Sequence, residues 1–431
     1  MDRRVLFATL ILLAGGATGV GVALFAFVGI DDGAADSEIV WETDPVDGDD
    51  GSGAVVATAD GDPLVVQSTV EDGERVIRAT AVGDDVEWRA PLSSVATGDA
   101  SGGDDGSDDG SGNASDDEAT DVSGLVSGTL DGDEVVAFTT ESGTLVVLDA
   151  ADGSTRFTAD LDGPGGIRPA IGDLTDDGRA EVAAVTTDGN VRAVDADGDA
   201  AFETALGEPV DRRPLIADFE DDSDDGGTDD AEEANGTPRG LAVVTAGEEG
   251  TVRLIDGEGE TRWTTTPSVT PLSWNAVDTR DGPILALGGS SGTLETIELA
   301  DGSGRYDVGL QDRPVDVGDA DAGRVYVGGV GSVWAVDLLD GEVVWKQQYG
   351  GETRVNAPGI GNVSGDAGPG PVAVNREGGV LALNANGEAI ARGDAGEAVV
   401  YAGPLFADAT GDETDEVLVV TDDGRVVALD G

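Results

Sequence analysis

Beyond residue 37 the apolar positions of this chain fall in short valine-rich runs closed by glycine turns, and one phrase keeps returning. A strand passes through a Gly turn into a second strand ending in an acid, and another turn then leads to an aromatic. It reads VVAFTTESGTLVVLDAADGSTRF at 135–157, LAVVTAGEEGTVRLIDGEGETRW at 241–263 and, most cleanly, VYVGGVGSVWAVDLLDGEVVW at 325–345. β-Branched runs bounded by Gly, Asp and Asn read as strands, and no helical period is sustained past the N-terminus. The matched positions are Asp149, Asp195, Asp256, Glu298, Asp337, Asn384 and Asp430, with steps of 46, 61, 42, 39, 47 and 46 residues. Such a period predicts β-propeller blades of about 40–50 residues.

The last copy, VLVVTDDGRVVALDG at 417–431, stops in its turn without an aromatic strand. At the other end SEIVWETD, residues 37–44, is a strand without a blade. Its Trp41 stands where other copies carry Trp88, Phe157, Phe202, Trp263, Tyr306 and Trp345. Pairing the two ends closes the ring and hides two strand edges. The predicted fold is all-β: an eight-bladed β-propeller over 37–431, closed by an N-terminal strand and preceded by one transmembrane helix. Seven blades stays open, because the stretch around 53–95 matches the phrase worst.

Two segments interrupt the pattern, 98–120 and 220–239. Both are acidic and of low complexity, and read as solvated insertions. Asn113 and Asn235 lie in N-x-S/T sequons within them and are candidate glycan sites; Asn362 makes a third sequon. At the N-terminus, Val5 to Ile30 carry no charge, enough to cross a bilayer core of about 30 Å. Arg3 and Arg4 precede this span and acids follow it, so residues 1–4 are expected in the cytoplasm and the propeller outside, joined by a linker at 31–36. The span reads as an uncleaved anchor, since a clear small-x-small cleavage site is missing.

Composition changes the picture in two ways. The 88 acids against 23 bases give a formal charge of −65, with Lys346 the one lysine. This excludes the basic patches that nucleic-acid binding needs. The acidic, lysine-poor balance resembles that of a halophilic archaeal protein, in which molar salt screens self-repulsion over about 3 Å. Cysteine and histidine are absent, which removes disulfides, thiolate or imidazole metal sites and His-based catalysis.

AVDLLDGEVVW at 335–345 resembles the A-x-D-x-x-x-G-x-x-x-W phrase of the PQQ-like propeller repeat, whose aromatics dock one blade on the next. The resemblance covers nearly everything after residue 37. Quinoprotein dehydrogenases of that fold carry adjacent cysteines beside the quinone, so this cysteine-free chain is expected to bind no PQQ. Other members of the family dock protein partners.

A second phrase precedes a strand in four blades: PAIGD at 169–173, PLIAD at 214–218, PGIGN at 358–362 and PLFAD at 404–408. In two of them oxygen donors follow at identical spacing, Asp173, Thr175, Asp177 and Glu181 in one and Asp408, Thr410, Asp412 and Glu416 in the other; Arg179 occupies place seven of the first loop. They resemble the FG-GAP repeat of integrin-type propellers, in which D-x-[DN]-x-D-G-x-x-[DE] wraps calcium between strands. Thr at place three departs from that pattern, as does Glu413 at the glycine position. Acids at places one, five and nine arise by chance about three to four times at this acid content, so spacing alone decides nothing. Two readings stand: structural calcium loops, or acidic turns held by hydrated salt ions. RGD at 392–394 reads as a chance match. The expected function is a membrane-anchored, extracytoplasmic scaffold for an unidentified protein partner. The alternative is a carbohydrate-active enzyme using acidic residues on the propeller face.

Overall fold

A computed structural model describes residues 34–45, 54–59, 62–83, 86–95, 121–219, 239–246, 250–321, 323–349, 351–365, 368–396 and 400–430. The proposed anchor, the acidic insertions up to residue 238 and the sequons at Asn113 and Asn235 lie outside these residues; Arg239, the last residue of the second insertion as read from the sequence, instead opens a strand of blade 4. Among those described, no helix is long and apolar enough to cross a membrane.

The strands form eight antiparallel sheets of four, one carrying a fifth, parallel strand. Blades 1 to 7 run in chain order over 54–91, 126–160, 170–205, 215–265, 271–309, 316–348 and 359–394. Blade 8 takes three strands from 400–429 and its outermost from Ile39–Glu42. The first strand of each blade touches its neighbours on both sides, and that of blade 8 touches that of blade 1, so eight inner strands ring a central channel. Eight blades replaces the alternative of seven.

The core is divided around this ring. Eight apolar clusters lie one at each seam between consecutive blades. Along blade 2, Val136, Phe138, Val146 and Leu148 face blade 1, while Val135, Ala137, Leu145 and Val147 face blade 3. Successive strand residues point to opposite faces, and here both faces are covered. The middle strands therefore read as unbroken apolar runs rather than alternating ones.

The acid–turn–Gly–aromatic phrase is the device that joins blades. Asp195 Oδ1 accepts the amides of Asp197 and Asp199, and Asn384 Oδ1 accepts those of Asn386 and Glu388. One carbonyl-type oxygen is all the turn needs, which is why an amide can stand for the acid. The turn glycine then lies flat against the aromatic of the preceding blade. A Cβ on Gly341, at φ +73°, would come within 2.6 Å of the Tyr306 ring, and one on Gly387 within 2.6 Å of Trp345. The polar handle of each ring meets the same turn: Trp88, Trp263 and Trp345 donate Nε1–H to the carbonyls of Ala150, Leu299 and Ala385.

Two seams depart from this scheme. At the seam of blades 7 and 8, Ala391 takes the aromatic place, and blade 8 ends in its turn at the chain terminus. The N-terminal segment fills both gaps. Ala35–Asp36 pairs parallel to the outer strand of blade 7, with Ala35 opposite Ala391, and Ser37 N–H donates to Arg392 O. Ile39–Glu42 then pairs with Val427–Leu429 of blade 8, so the orphan strand is in the ring, shorter than 37–44. Trp41 packs, half-buried, into the cluster joining blades 8 and 1. Blade 1 departs differently: its middle strands bury Gln67, Ser68, Thr69, Arg75, Arg78 and Thr80, which explains its poor match to an apolar phrase.

Candidate functional site

Every described inner strand begins at one mouth of the channel and ends at the other, and in blades 2 to 8 the ends carry carboxylates or an amide. Asp131, Asp173, Asp218, Asp278, Asp321, Asn362 and Asp408 close the inner strands of blades 2 to 8. The two candidate calcium loops leave from Asp173 and Asp408 at this acidic mouth. Beside the first is a cavity of about 270 Å³ lined by Asp173, Asp218, Asp278 and Arg239.

Both loops are closed by their own hydrogen bonds. Glu181 is buried, and its carboxylate accepts the amides of Leu174 and Thr175 and the Thr175 hydroxyl. Burial raises its pKa, and these bonds offset part of the shift. Asp173 Oδ2 accepts Gly178 N–H, Asp177 Oδ1 accepts Arg179 N–H, and Asp173 Oδ1 has no partner. The second loop repeats the plan. Asp408 accepts Gly411 and Glu413 amides, Asp412 accepts Thr414, and buried Glu416 accepts Ala409. The Thr414 bonds hold the exposed Asp412 carboxyl below the usual carboxylate range, with a smaller contribution from Thr410.

The nearest fixed cation to Asp173 is a side chain. Arg239, from blade 4, pairs with Asp218 at 2.6 Å and approaches Asp173 Oδ2 at 3.6 Å. Arg179 turns away from its loop and holds Asp131 of blade 2 at 2.8 Å. Among the described residues no three acidic side chains gather closely enough to hold a metal ion together. Apart from Asp173 Oδ1, a cation in the first loop would have to share carboxylate oxygens with the loop's own amides and with Arg239, and one in the second with that loop's amides. The loop after the inner strand of blade 7, where PGIGN ends in an amide, has another role. Asn362 donates Nδ2–H to Glu413 O and its amide N–H to Asp415, so the sequon asparagine braces the second loop.

At the opposite mouth stand residues that the sequence reading did not single out. Arg168 and Arg213 each precede the proline before an inner strand, in blades 3 and 4. Arg213 donates to Trp274 O of blade 5's inner strand at 3.3 Å. Burial, then the charge of Arg213, lowers the Arg168 pKa to about 10, leaving it charged at neutral pH. On the wall of blade 6, burial raises the Asp319 carboxyl, although the Ile360 amide and Arg213 counter this. The signal was present as the dipeptide Arg-Pro at 168–169, 213–214 and 313–314. The RGD stretch is not displayed as a free tripeptide, because Nε and Nη2 of Arg392 are buried.

A family profile described as PQQ_2, outer membrane protein assembly factor BamB, matches residues 94–218 and 248–428, more than half of the chain. The chain belongs to this family. The PQQ_2 match begins after the strands of blade 1, the blade with the polar interior, and omits the stretch containing the second acidic insertion. No curated protein matches the sequence. Among solved structures, BamB from Moraxella catarrhalis is similar at 17% identity and a TM-score of 0.55, covering 92% of this chain and 98% of that one. Saccharomyces cerevisiae Sqt1 is similar at 14% identity and 0.60, covering 93% and 99%. The BBS1N chain solved in complex with ARL6DN is similar at 15% and 0.50, covering 71% and 90%. At these identities the likeness to solved structures is one of fold.

Proposed function

We propose that this PQQ_2-family propeller is a protein-docking scaffold, held outside a cell membrane by its N-terminal segment. The observation that carries the reading is the match of both halves of the ring to a family described as an outer membrane assembly factor. Two relatives in fold support it: BamB from Moraxella catarrhalis, and BBS1N, solved in complex with ARL6DN. The repeat residues are consistent with it: the acids, glycines and aromatics of the recurring phrase hold blade to blade, leaving the loops of the two mouths free of that task. The membrane part rests on the apolar span 5–30. Residues 31–34 would then reach at most about 14 Å before the strand at Ala35, keeping the ring close to the bilayer. Crosslinking in intact cells followed by mass spectrometry tests the scaffold: a reproducible protein partner is expected, and recovery of the propeller alone refutes it. Fractionation tests the anchor, which requires a chain starting at or near Met1 that resists high-salt washing.

Calcium at the two acidic loops is a separate proposal. It is supported by their identical donor spacing and by the unpartnered Asp173 Oδ1; against it stands Arg239 beside the same carboxylate. A chelator in molar KCl should lower the melting temperature, and Asp173→Ala should reduce that sensitivity. An unchanged melt assigns both loops as acidic turns closed by their own amides.

A further inference from the structure

Each outer strand opens with the same irregularity. One extra residue bulges just before the aromatic place, and in blades 1 to 8 it is Glu87, Arg156, Ala201, Arg262, Arg305, Val344, Ile390 and Val40. The position is charged in four of the first five blades and apolar in the last three. Two of its arginines pair with nearby acids, Arg156 with Asp133 and Arg305 with Asp281. Val344, Ile390 and Val40 have no such use at a rim that faces water. Four large apolar side chains are exposed among the described residues, Ile39, Val40, Leu339 and Val344, at 41–49%. Scattered singly they would mean little. All four instead belong to blades 6 and 8, and blade 7 between them carries the half-buried Ile390.

The path of the chain indicates what covers this sector. Ala35 pairs with Ala391 in parallel, so the residues before it arrive on the side of Ile390, at the level of the bulges and between blades 6 and 8. Residues 31–34, at most about 14 Å of chain, separate that point from the apolar span 5–30. A ring tethered so closely meets the bilayer first with the sector around its tether. We propose that the rim of blades 6 to 8 rests on the bilayer surface, with Val40, Leu339 and Val344 at the headgroup boundary. This placement rests on the reading of residues 5–30 as a membrane anchor. Exposed Glu38, Asp340, Glu342 and Glu388 flank these side chains. They limit the contact to headgroup depth, since a carboxylate drawn into hydrocarbon loses its hydration. Blades 1 to 5, which expose no large apolar side chain among the described residues, face away from the membrane.

The chain has no cysteine, so a single introduced cysteine reports one position. Val40→Cys, Val344→Cys and, as the control in blade 3, Ala201→Cys are each made in the full chain. Each is labelled with a polarity-sensitive fluorophore and reconstituted in phosphatidylcholine vesicles in molar KCl. The labels at Val40 and Val344 should shift to the blue and lose intensity when the lipid chains are brominated, and the label at Ala201 should do neither. Should Val40→Cys disturb the closing strand, Leu339→Cys, in an exposed turn of blade 6, takes its place. Flotation with the vesicles reports the anchor separately. Floating protein whose rim labels stay water-like, or respond no more than the label at Ala201, overturns the proposal while the anchor stands. Rim labels shielded from iodide yet unquenched by lipid assign the sector to a protein and overturn it as well. Protein that does not float removes the anchor reading and this placement together.

Discussion

Replacing Trp41 with alanine tests whether the ring is closed by the start of the chain. The indole sits half-buried among Val65, Leu418, Val420 and Val426, across the seam of blades 8 and 1. A buried Trp→Ala change costs about 3–5 kcal/mol, so about 2 kcal/mol is expected for a ring that is half-covered. Spread over an unfolding entropy of roughly 2.1 cal/mol/K per residue in about 400 residues, this lowers Tm by about 2–3 °C. Trp88 calibrates the scale. It is buried, stacks on Gly153 and donates to Ala150 O, so Trp88→Ala should cost about 4–6 kcal/mol, including about 1 for the orphaned carbonyl. Removing everything before Val46 should do more than either substitution. It bares the edge of Val426–Leu429, all four residues buried, and opens the seam where Ala391 has no aromatic. That chain should melt low or aggregate through the exposed edge, whereas one beginning at Ala34 keeps both strands. The assay is thermal unfolding by circular dichroism in molar KCl. Equal melts for Trp41→Ala, the chain from Val46 and the full chain would refute closure by the N-terminal strand.

The turn acids make a prediction about chemistry rather than charge. Asp195→Asn should leave Tm nearly unchanged, as Asn384 already does the same work in blade 7, whereas Asp195→Ala should cost about 1–2 kcal/mol for two lost acceptor contacts; equal destabilisation by both would refute the turn-cap role. Asp319 gives a pH signature. Its carboxyl is raised above 3.8 chiefly by burial, so folding disfavours its charged form; no penalty exists below the unfolded value, and stability is lost as pH rises through the higher folded value. Measured Tm of the unaltered chain relative to Asp319→Asn should therefore fall as pH climbs from below 3.8 towards neutrality, and a constant difference would contradict the placement of that carboxyl.

The sequence by itself determined the blade. Acid, turn glycine and aromatic lie within one short phrase, so the strand, its cap and its docking ring are encoded by near neighbours and repeat visibly. It also determined closure, because Trp41 and the truncated last copy are each incomplete without the other. Only the tertiary structure decided what meets at the seams. Ala391 lacks its aromatic because Ala35–Ser37 runs there instead, a contact between residues more than 350 positions apart that no local pattern announces. The pairing of Asp173 with Arg239 likewise joins positions from two blades, and it sets a fixed cation beside a loop that spacing alone offered to calcium. The acidic mouth arises in the same way. An acid or amide closes each inner strand of blades 2 to 8, but only the common direction of those strands brings these groups together at one end of the channel. Local phrases fix how a blade folds; the ring fixes which ends of different blades share a space.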